Sequence, residues 1–573
     1  MMMGFRLVAV LVPALLFGVV NGDCGPGISG ILDEDRCCAA ECGSCGGDGC
    51  SHRPGGEFSC CFTPIEEAGA SCYDTGAGPC MMVEPTIPSP VTPSPVTPSP
   101  NPSPTPIMTI PTTCELSTPE FRFDQDIGIG GRIYAEGAGC FTMMDLYSFQ
   151  EKGGDGQSIG PVYVLDDHGN VDGSPDTHTG KWLLTSELWV TGGGTFYCLG
   201  TDIGGDCDEL RIESTGPDAY HEIRGYGGNL YFESTVVTSW DTPNKRPQVE
   251  HEGGRSFLNC VSESQIGTTC ANNDMGECRM DIINSEMGYM GFFDSESYGL
   301  TWKVRGFCID LSNPQLFDDV NVYGDIKGSD IHHMYYGMYS YGHQGGVWTN
   351  NKMHDNIIYG FDPHDDSDYL TIAGNTVYNN INHSIIASKR CNNLKIYDNT
   401  IYDGDQVGIF LHRSGDDCEI YDNVITNMGN AGIVLMESSG NDIHDNYISG
   451  ARFGIRMVTG SNDNMVYDNE FNDISDVGIF TYEGSDEPWV GDGRVFNNEF
   501  YDNKITDTKL GVKLKECDEL KIRDNEFTGT EAIEFNDAQD TVWYGNSLPS
   551  GACIRNKGGT STFTGSSGLP ETC

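Results

Sequence analysis

Leu394-Lys-Ile-Tyr-Asp-Asn399-Thr-Ile-Tyr402, followed by Gly408-Ile-Phe-Leu411, is the stretch that decides the fold of this chain. It contains three brief runs in which apolar and polar residues alternate, the pattern of short strands with one buried face. The last run, a small residue followed by apolar, variable and apolar residues, recurs along the second half of the chain. Its copies are Ser384-Ile-Ile-Ala387, Gly432-Ile-Val-Leu435, Gly454-Ile-Arg-Met457, Gly511-Val-Lys-Leu514 and Ala532-Ile-Glu-Phe535.

Each repeat also carries an asparagine that is followed two residues later by an apolar residue. These asparagines are Asn356, Asn375, Asn399, Asn423, Asn446, Asn469, Asn503, Asn525 and Asn546. Their spacings are 19, 24, 24, 23, 23, 34, 22 and 21 residues, and the longest includes an insertion near residues 483–493. Three strands per repeat without a helical period predict an all-β fold, a parallel β-helix whose stacked coils share one core. We expect the asparagines to form an internal hydrogen-bonded ladder.

The rest of the chain divides into segments of different composition. Residues 1–22 are typical of a signal peptide, since Arg6 precedes a short apolar run, and no later run is long enough to cross a membrane. The predicted domains are a Cys-rich module at 23–83, an extended Pro/Ser/Thr-rich tether at 84–113, a β-helix cap at 114–180 and a β-helix catalytic domain at 181–573.

The cysteine content indicates an oxidising compartment. The chain has 23 cysteines, so we expect most of them in disulfides and the protein secreted, in the extracellular space or cell wall. The odd number leaves at least one free or paired between chains. Disulfides must stabilise the module at 23–83, and its position suggests that it binds cell-wall matrix. The CxxC spacing of Cys42 and Cys45 also suits zinc, the less favoured interpretation.

The formal net charge of -52 argues against nucleic acid as a partner, because its phosphates would be repelled. A polyanionic substrate requires a local basic cluster, and stacking the repeats predicts one. Aligning Gly360 with Ser384 and Gly408 places three rows of side chains on the outer face. The rows are Asp362, Ile386, Phe410, Val434 and Arg456; then His364, Ser388, His412, Met436 and Val458; and, where each strand should end and bend outward, Asp365, Lys389, Arg413 and Glu437.

This alignment puts His364 and His412 about 10 Å apart, beside Lys389, Arg390 and Arg413. Taken singly, each residue could be an ordinary surface or packing residue. The carboxylates at 362, 365, 366 and 368 could form a turn, and carboxylate oxygens also suit calcium. The convergence of histidines, cations and a tyrosine on consecutive coils favours a functional site.

Several of these stretches resemble the mannuronan C5-epimerases of the algal and periplasmic bacterial type. They are Tyr359-Gly-Phe-Asp-Pro-His-Asp365, His383-Ser-Ile-Ile-Ala-Ser-Lys389, Gly432-Ile-Val-Leu-Met-Glu437-Ser and Glu296-Ser-Tyr-Gly299, within roughly residues 180–545. The resemblance implies a right-handed β-helix that converts mannuronate to guluronate within alginate by inverting C5. It implies that His364 is the catalytic histidine, that Tyr359 and Asp362 belong to the same motif, and that Arg413 and Arg456 match arginines of the family. Lys389 replaces an arginine of the bacterial type, so the role of its charge is open between Lys389 and Arg390.

The chemistry explains these residue types. The C5 proton lies alpha to a carboxylate, so its removal requires a cation such as Lys389, Arg390 or Arg413 to neutralise the developing charge. His364 suits the base and Tyr359 the opposite face, although the roles could be exchanged or taken by His383 or His412. The predicted substrate-binding residues are His383, Arg390, His412, Arg413, Glu437, Arg456 and Asp365, with Tyr359, Asp362, His364 and Lys389 catalytic. We expect no metal ligand and no required cofactor, with calcium left open.

Two other functions fit the same sequence. An alginate lyase would form the same carbanion and then expel O4, and a non-catalytic wall protein would bind polyuronate without turnover. The Asn382-His-Ser384 sequon adjoins the proposed groove, so we expect it to be unglycosylated because a glycan would block the polymer.

Overall fold

The computed structural model describes residues 118–150, 160–172, 179–263, 276–294, 296–305, 320–530 and 532–564, together with short strands outside these ranges. The chain separates into two units, residues 1–101 and 102–573. The first contains antiparallel strands Val20–Asp23, Ser29–Asp33 and Arg36–Ala39, and a hairpin of Cys50–His52 with Phe58–Cys60. The predicted disulfides of the module and the Pro-rich tether lie outside the described residues.

The second unit is a parallel β-helix built from three sheets, which we call A, B and C in the order that each coil visits them. Sheet A contains Glu120–Asp124, Arg132–Glu136, Glu187–Thr191, Glu222–Tyr226, Phe257–Glu263, Gly299–Arg305, Tyr336–Tyr341, Phe361–His364, Ile385–Ser388, Val407–His412, Ala431–Met436, Phe453–Val458, Val477–Tyr482, Val495–Phe496, Leu510–Asp518, Ala532–Gln539, Cys553–Asn556 and Glu571–Thr572.

Sheets B and C have shorter strands. Sheet B contains Gly139–Phe141, Gly194–Leu199, Asn229–Glu233, Met280–Ile283, Ile326–Lys327, Val347–Thr349, Thr371–Ala373, Lys395–Tyr397, Glu419–Tyr421, Asp442–His444, Met465–Tyr467, Glu499–Tyr501, Lys521–Arg523, Val542–Tyr544 and Thr562–Thr564. Sheet C contains Val162–Leu165, Val171–Asp172, Lys181–Leu184, Glu209–Gly216, Ala219–Tyr220, Val236–Asp241, Arg246–Pro247, Glu286–Gly288, Asp330–His332, Lys352–His354, Thr376–Tyr378, Thr400–Tyr402, Val424–Thr426, Tyr447–Ser449, Glu470–Asn472, Lys504–Thr506 and Glu526–Thr528.

The inward positions of the strands form one continuous core. Ile385 pairs with Ile409, Ile409 with Ile433 and Ile433 with Ile455, and all four are fully buried. The repeat therefore places the same apolar side chain at the same point of successive coils, which closes the core that a single coil cannot form.

The predicted asparagine ladder is present, with one correction. The Asn399 side-chain amide donates to Asn423 Oδ1 at 2.9 Å and to the Ile372 carbonyl at 2.8 Å, and the pattern continues to Asn546. Asn356 is not part of this ladder. It follows a sheet C strand and bonds to Asn380, whereas Asn351 follows the sheet B strand and donates to Asn375. Two turns carry the same local sequence signature, which explains the anomalous spacing of 19.

The coils begin earlier than the predicted start at residue 181. Arg132–Glu136 pairs in parallel with Glu187–Thr191, and Gly139–Phe141 with Gly194–Leu199, so part of the predicted 114–180 cap belongs to the sheets. A helix, Met143–Phe149, follows and buries Met143, Leu146 and Tyr147 against the core. A short 3-10 helix, Thr201–Ile203, interrupts a later coil.

The cysteines of the β-helix are partly oxidised. Cys198–Cys207 and Cys260–Cys278 are disulfides, and Cys140 and Cys553 are also disulfide-bonded. In the described part of the chain, three buried cysteines are free: Cys391, Cys418 and Cys517. Among the same residues, no helix combines the length and apolar character needed to cross a membrane.

Candidate active site

Six consecutive strands of sheet A build the site, and we number them along the chain. They are β1 (Tyr336–Tyr341), β2 (Phe361–His364), β3 (Ile385–Ser388), β4 (Val407–His412), β5 (Ala431–Met436) and β6 (Phe453–Val458). His364 pairs with Ser388, Ser388 with His412, and His412 with Met436. The predicted register of the outer face is therefore confirmed.

The strands end where the sequence predicted. The residues that follow β2, β3, β4 and β5 are Asp365, Lys389, Arg413 and Glu437, with φ of 33°, 64°, 61° and 50°. A left-handed conformation turns the chain out of the strand, and it is uncommon for residues other than glycine, asparagine and aspartate. This repeated bend forms a row of charged side chains along the edge of the outer face, and it confirms the predicted outward turn.

His364 is oriented by the residue that follows it. Its Nδ1 lies against the Asp365 carboxylate, and the imidazole remains partly exposed. Burial opposes ionisation of Asp365, but the hydrogen bond and charge of His364 and the charges of Lys389 and Arg390 hold its pKa below the usual value. A carboxylate on Nδ1 leaves Nε2 as the basic atom that faces outward.

Asp362 lies beneath this pair. Its side chain is 1% exposed, and no described residue offers a hydrogen bond to Oδ1. Burial raises its pKa to about 7, and Asp365 adds to the rise, whereas His364 and Lys389 oppose it. A carboxyl that is partly protonated at neutral pH can donate a hydrogen bond to a carboxylate brought close to it.

A wall of aromatic rings borders Asp362. Tyr359 stacks on His383 with ring centroids 5.5 Å apart, and it contacts Tyr336 at 5.0 Å. Burial raises the pKa of Tyr359 to about 12, and the charge of Asp362 adds to the rise. Tyr359 therefore holds its proton at neutral pH, as a proton donor must.

Tyr339 and Tyr298 belong to the same wall, although sequence reasoning missed them. Tyr339 pairs with Asp362 across the sheet, and its ring centroid is 5.5 Å from that of His364. Tyr298 packs 5.0 Å from Tyr339. Aligning Gly337 with Gly360 would have placed Tyr339 beside Asp362, so the signal was present in the sequence.

The cations differ in how they are neutralised. Arg390 pairs with Asp365 at 2.8 Å and with Asp366 at 3.0 Å. Lys389 forms no ion pair with any residue in the described ranges, although its charge acts on Asp362 and Asp365. A cation without a carboxylate partner is available for a substrate carboxylate, so the geometry favours Lys389 over Arg390 for that task.

The cations of the later coils are held differently. Arg413 lies 3.6 Å from the Glu437 carboxylate and above the Trp489 ring. Arg456 donates to Asn430 at 3.2 Å and faces the Phe453 ring, and within the described residues it has no carboxylate partner. Burial lowers the pKa of Arg456.

The two flanking histidines are neutral. Burial lowers the pKa of His383 to about 3, and the charges of His412 and Arg456 contribute. Burial also lowers the pKa of His412 to about 4, with contributions from Arg413, His364 and Lys389, and its Nδ1 lies 2.9 Å from Ser388 Oγ. Both can contact a sugar, but neither adds positive charge at neutral pH.

The acidic run after β2 forms a turn. Arg390 holds Asp365 and Asp366, and Asp368 accepts a hydrogen bond from the Asn392 N–H at 2.6 Å. Across the described ranges, no group of three or more His, Cys, Asp or Glu side chains is arranged to hold a metal ion.

The repeat region is similar to several known proteins. A family profile described as "Periplasmic copper-binding protein (NosD)" matches residues 317–493, within the repeats. The mannuronan C5-epimerase of Pseudomonas putida is 34% identical over 194 residues, 33% of this chain and 33% of that protein. AlgG, the mannuronan C5-epimerase of Azotobacter vinelandii, is 32% identical over 288 residues, 49% of each chain. The repeat region is therefore similar in sequence to mannuronan C5-epimerases.

The chain spans a third to a half of the length of these curated relatives. It also resembles crystal structures of the periplasmic alginate epimerase AlgG. A double mutant gives a TM-score of 0.51 at 20% identity, covering 70% of this chain and 85% of that one. A single mutant gives 0.51 at 19% identity, covering 75% and 85%. At this identity the likeness establishes the shared fold.

Proposed function

We propose that the protein converts β-D-mannuronate to α-L-guluronate within alginate. The proposal rests on one observation: His364, Asp362, Tyr359 and Lys389 lie on adjacent coils at sheet A, and Lys389 has no ion-pair partner among the residues that the structure describes. The similarity of the repeat region to curated mannuronan C5-epimerases supports the same activity. We also propose that the protein is exported and that its polymer substrate lies along the outer face, where the coil spacing of about 4.8 Å is close to one sugar unit.

In this mechanism His364 Nε2 removes the C5 proton, and the electron pair of the C–H bond moves into the carboxylate group. Lys389 neutralises the charge that develops there, and a protonated Asp362 donates a hydrogen bond to it. Tyr359 then delivers its phenolic proton to the opposite face of C5. His364 leaves the reaction protonated and Tyr359 deprotonated, so a proton must return from one to the other through solvent before the next turnover.

Asp362 lies between the proposed acid and base. Its charge contributes to the raised pKa of Tyr359, and the charge of His364 opposes the rise in the pKa of Asp362 itself. Four residues lie between Tyr359 and His364 along the chain, so their Cα atoms are at most roughly 17 Å apart, a span that can hold a sugar ring.

Proton NMR of polymannuronate incubated with the secreted protein tests the proposal. We expect guluronate signals to rise without chain cleavage, and with C5 exchange of deuterium from D₂O. Unsaturated chain ends that absorb ultraviolet light would instead identify a lyase. Binding without any new signal would identify a polyuronate-binding protein. The proposed mechanism needs only side chains, so activity should survive EDTA, and its loss and recovery with calcium would reveal a required ion.

A further inference from the structure

The insertion at residues 483–493, which lengthens one repeat to 34 residues, folds back over the outer face of sheet A. The backbone N–H groups of Trp489 and Val490 both donate to Glu437 Oε1, the second at 3.0 Å. Arg413 donates to the Glu487 carbonyl at 3.4 Å. The loop starts after the strand Val477–Tyr482, and Glu437 and Arg413 lie two and three coils earlier. It therefore crosses roughly 10–15 Å of the face.

The loop fixes one aromatic side chain in place. The Arg413 guanidinium lies 4.8 Å from the centroid of the Trp489 ring, and Glu437 holds both Arg413 and the backbone of Trp489. The indole is only partly buried, so part of its surface faces solvent. A cation stacked on one face of an indole stabilises its orientation.

The position of this indole relative to His364 is set by the register. Arg413 ends β4, two coils from the β2 strand that ends at His364, so the two lie about 10 Å apart along the helix axis. Lys389 occupies the same row between them. A polymer that places one ring at His364 and follows this row reaches Trp489 about two sugar units away.

We propose that residues 483–493 form a polymer-binding wall in which Trp489 stacks on a uronate ring two units from the reacting one. This inference rests on the proposed function, since the ligand is the same polyuronate chain. The C–H face of a pyranose is apolar and matches an indole, while the carboxylates of the chain match the cations Lys389, Arg413 and Arg456 on the same face. The wall is a contact for the polymer and takes no part in proton transfer.

Truncating the indole tests the wall. Trp489→Ala should raise KM for polymannuronate about tenfold and leave kcat unchanged at saturation, because the lost contact is the same in the ground state and the transition state. Trp489→Phe should recover most of the affinity. Met465→Ala, which truncates a 40%-exposed apolar side chain on sheet B, is the matched control and should change neither constant.

Binding is measured in parallel by calorimetry with polymannuronate, in a His364→Ala background where turnover is too slow to change the polymer during the titration. Weaker binding with Trp489→Ala in that background supports the wall. If binding and KM are the same with and without the indole, the polymer-binding wall is rejected and the epimerase proposal still stands. Absence of both binding and turnover in the wild type overturns the two together. A lower kcat at unchanged KM would also reject the wall, because it would place Trp489 in the chemical step.

Discussion

Replacing Asp362 by asparagine should make the protein more stable at alkaline pH while removing its activity. The carboxyl is almost fully buried, and its pKa is raised to about 7 from an ordinary value of 3.8. Between these two values the unfolded chain ionises but the folded chain does not, so the carboxyl destabilises the fold progressively as pH rises through this window. Above pH 7 the full cost applies, and at about 1.36 kcal/mol per pKa unit it amounts to roughly 4 kcal/mol.

The amide of asparagine has the same shape and does not ionise, so Asp362→Asn should regain most of this free energy at pH 8. At pH 4.5 most of the difference between the two proteins should disappear. Urea unfolding at both pH values measures it, followed by the fluorescence of buried tryptophans such as Trp348, which stacks near Phe361 of the site strand. Guluronate formation should fall at every pH.

Asp365→Asn is the control, because it should change stability at pH 8 in the opposite direction. The pKa of Asp365 is held low, so its ionised form stabilises the fold at neutral pH and that stabilisation is lost as pH falls through the folded-state value. Asp365→Asn should therefore lower the urea midpoint at pH 8 and have less effect in acid. An Asp362→Asn protein whose advantage is the same at pH 4.5 and pH 8 would refute the assignment of a buried, hard-to-ionise carboxyl.

Three further substitutions test the site and its scaffold. His364→Ala should reduce guluronate formation by roughly 10²–10⁴-fold while polymannuronate affinity stays within about threefold, and full activity would remove it as the base. Lys389→Met should reduce kcat by about 10²-fold, and Lys389→Arg should retain most of the kcat. Arg390→Met should mainly lower stability, because it leaves the carboxylates of Asp365 and Asp366 without their cation. A larger loss of kcat with Arg390→Met than with Lys389→Met would exchange the two roles. Asn423→Ala should lower the unfolding free energy by roughly 3–5 kcal/mol, because amide and carbonyl groups of neighbouring coils lose their partners. The partly exposed Asn472→Ala should change it by less than about 0.5 kcal/mol, and equal effects would argue against the ladder.

The register of the site could be read from the sequence because the repeat is nearly constant there. Successive small residues at 360, 384, 408 and 432 fix which side chains share a row, and a one-residue slip would turn apolar side chains outward. This is why the rows of Asp362 and His364 were predicted correctly, together with the outward bend at Lys389.

Other features of the site could not be predicted from the sequence. The pairing between Gly299–Arg305 and β1 shifts between Gly299 and Thr301, so the regular spacing that would align Tyr298 with later coils is lost. The sequence also does not show which cation is ion-paired. Lys389 and Arg390 are adjacent in sequence, and only the structure shows that Arg390 lies within reach of carboxylates. Asn356 was assigned to the wrong ladder because the two turns that use asparagine have the same local sequence.

The ladder of Asn375 to Asn546 has a consequence for how such a molecule can change length. Between the ends of the ladder each amide meets an identical neighbour on either side, so a duplicated coil would find its partners already in place. Each duplication would extend the row beside Lys389 by about 4.8 Å without disturbing hydrophobic contacts elsewhere. The number of sugar units that the surface can hold is therefore a quantity that gene duplication can adjust in whole steps.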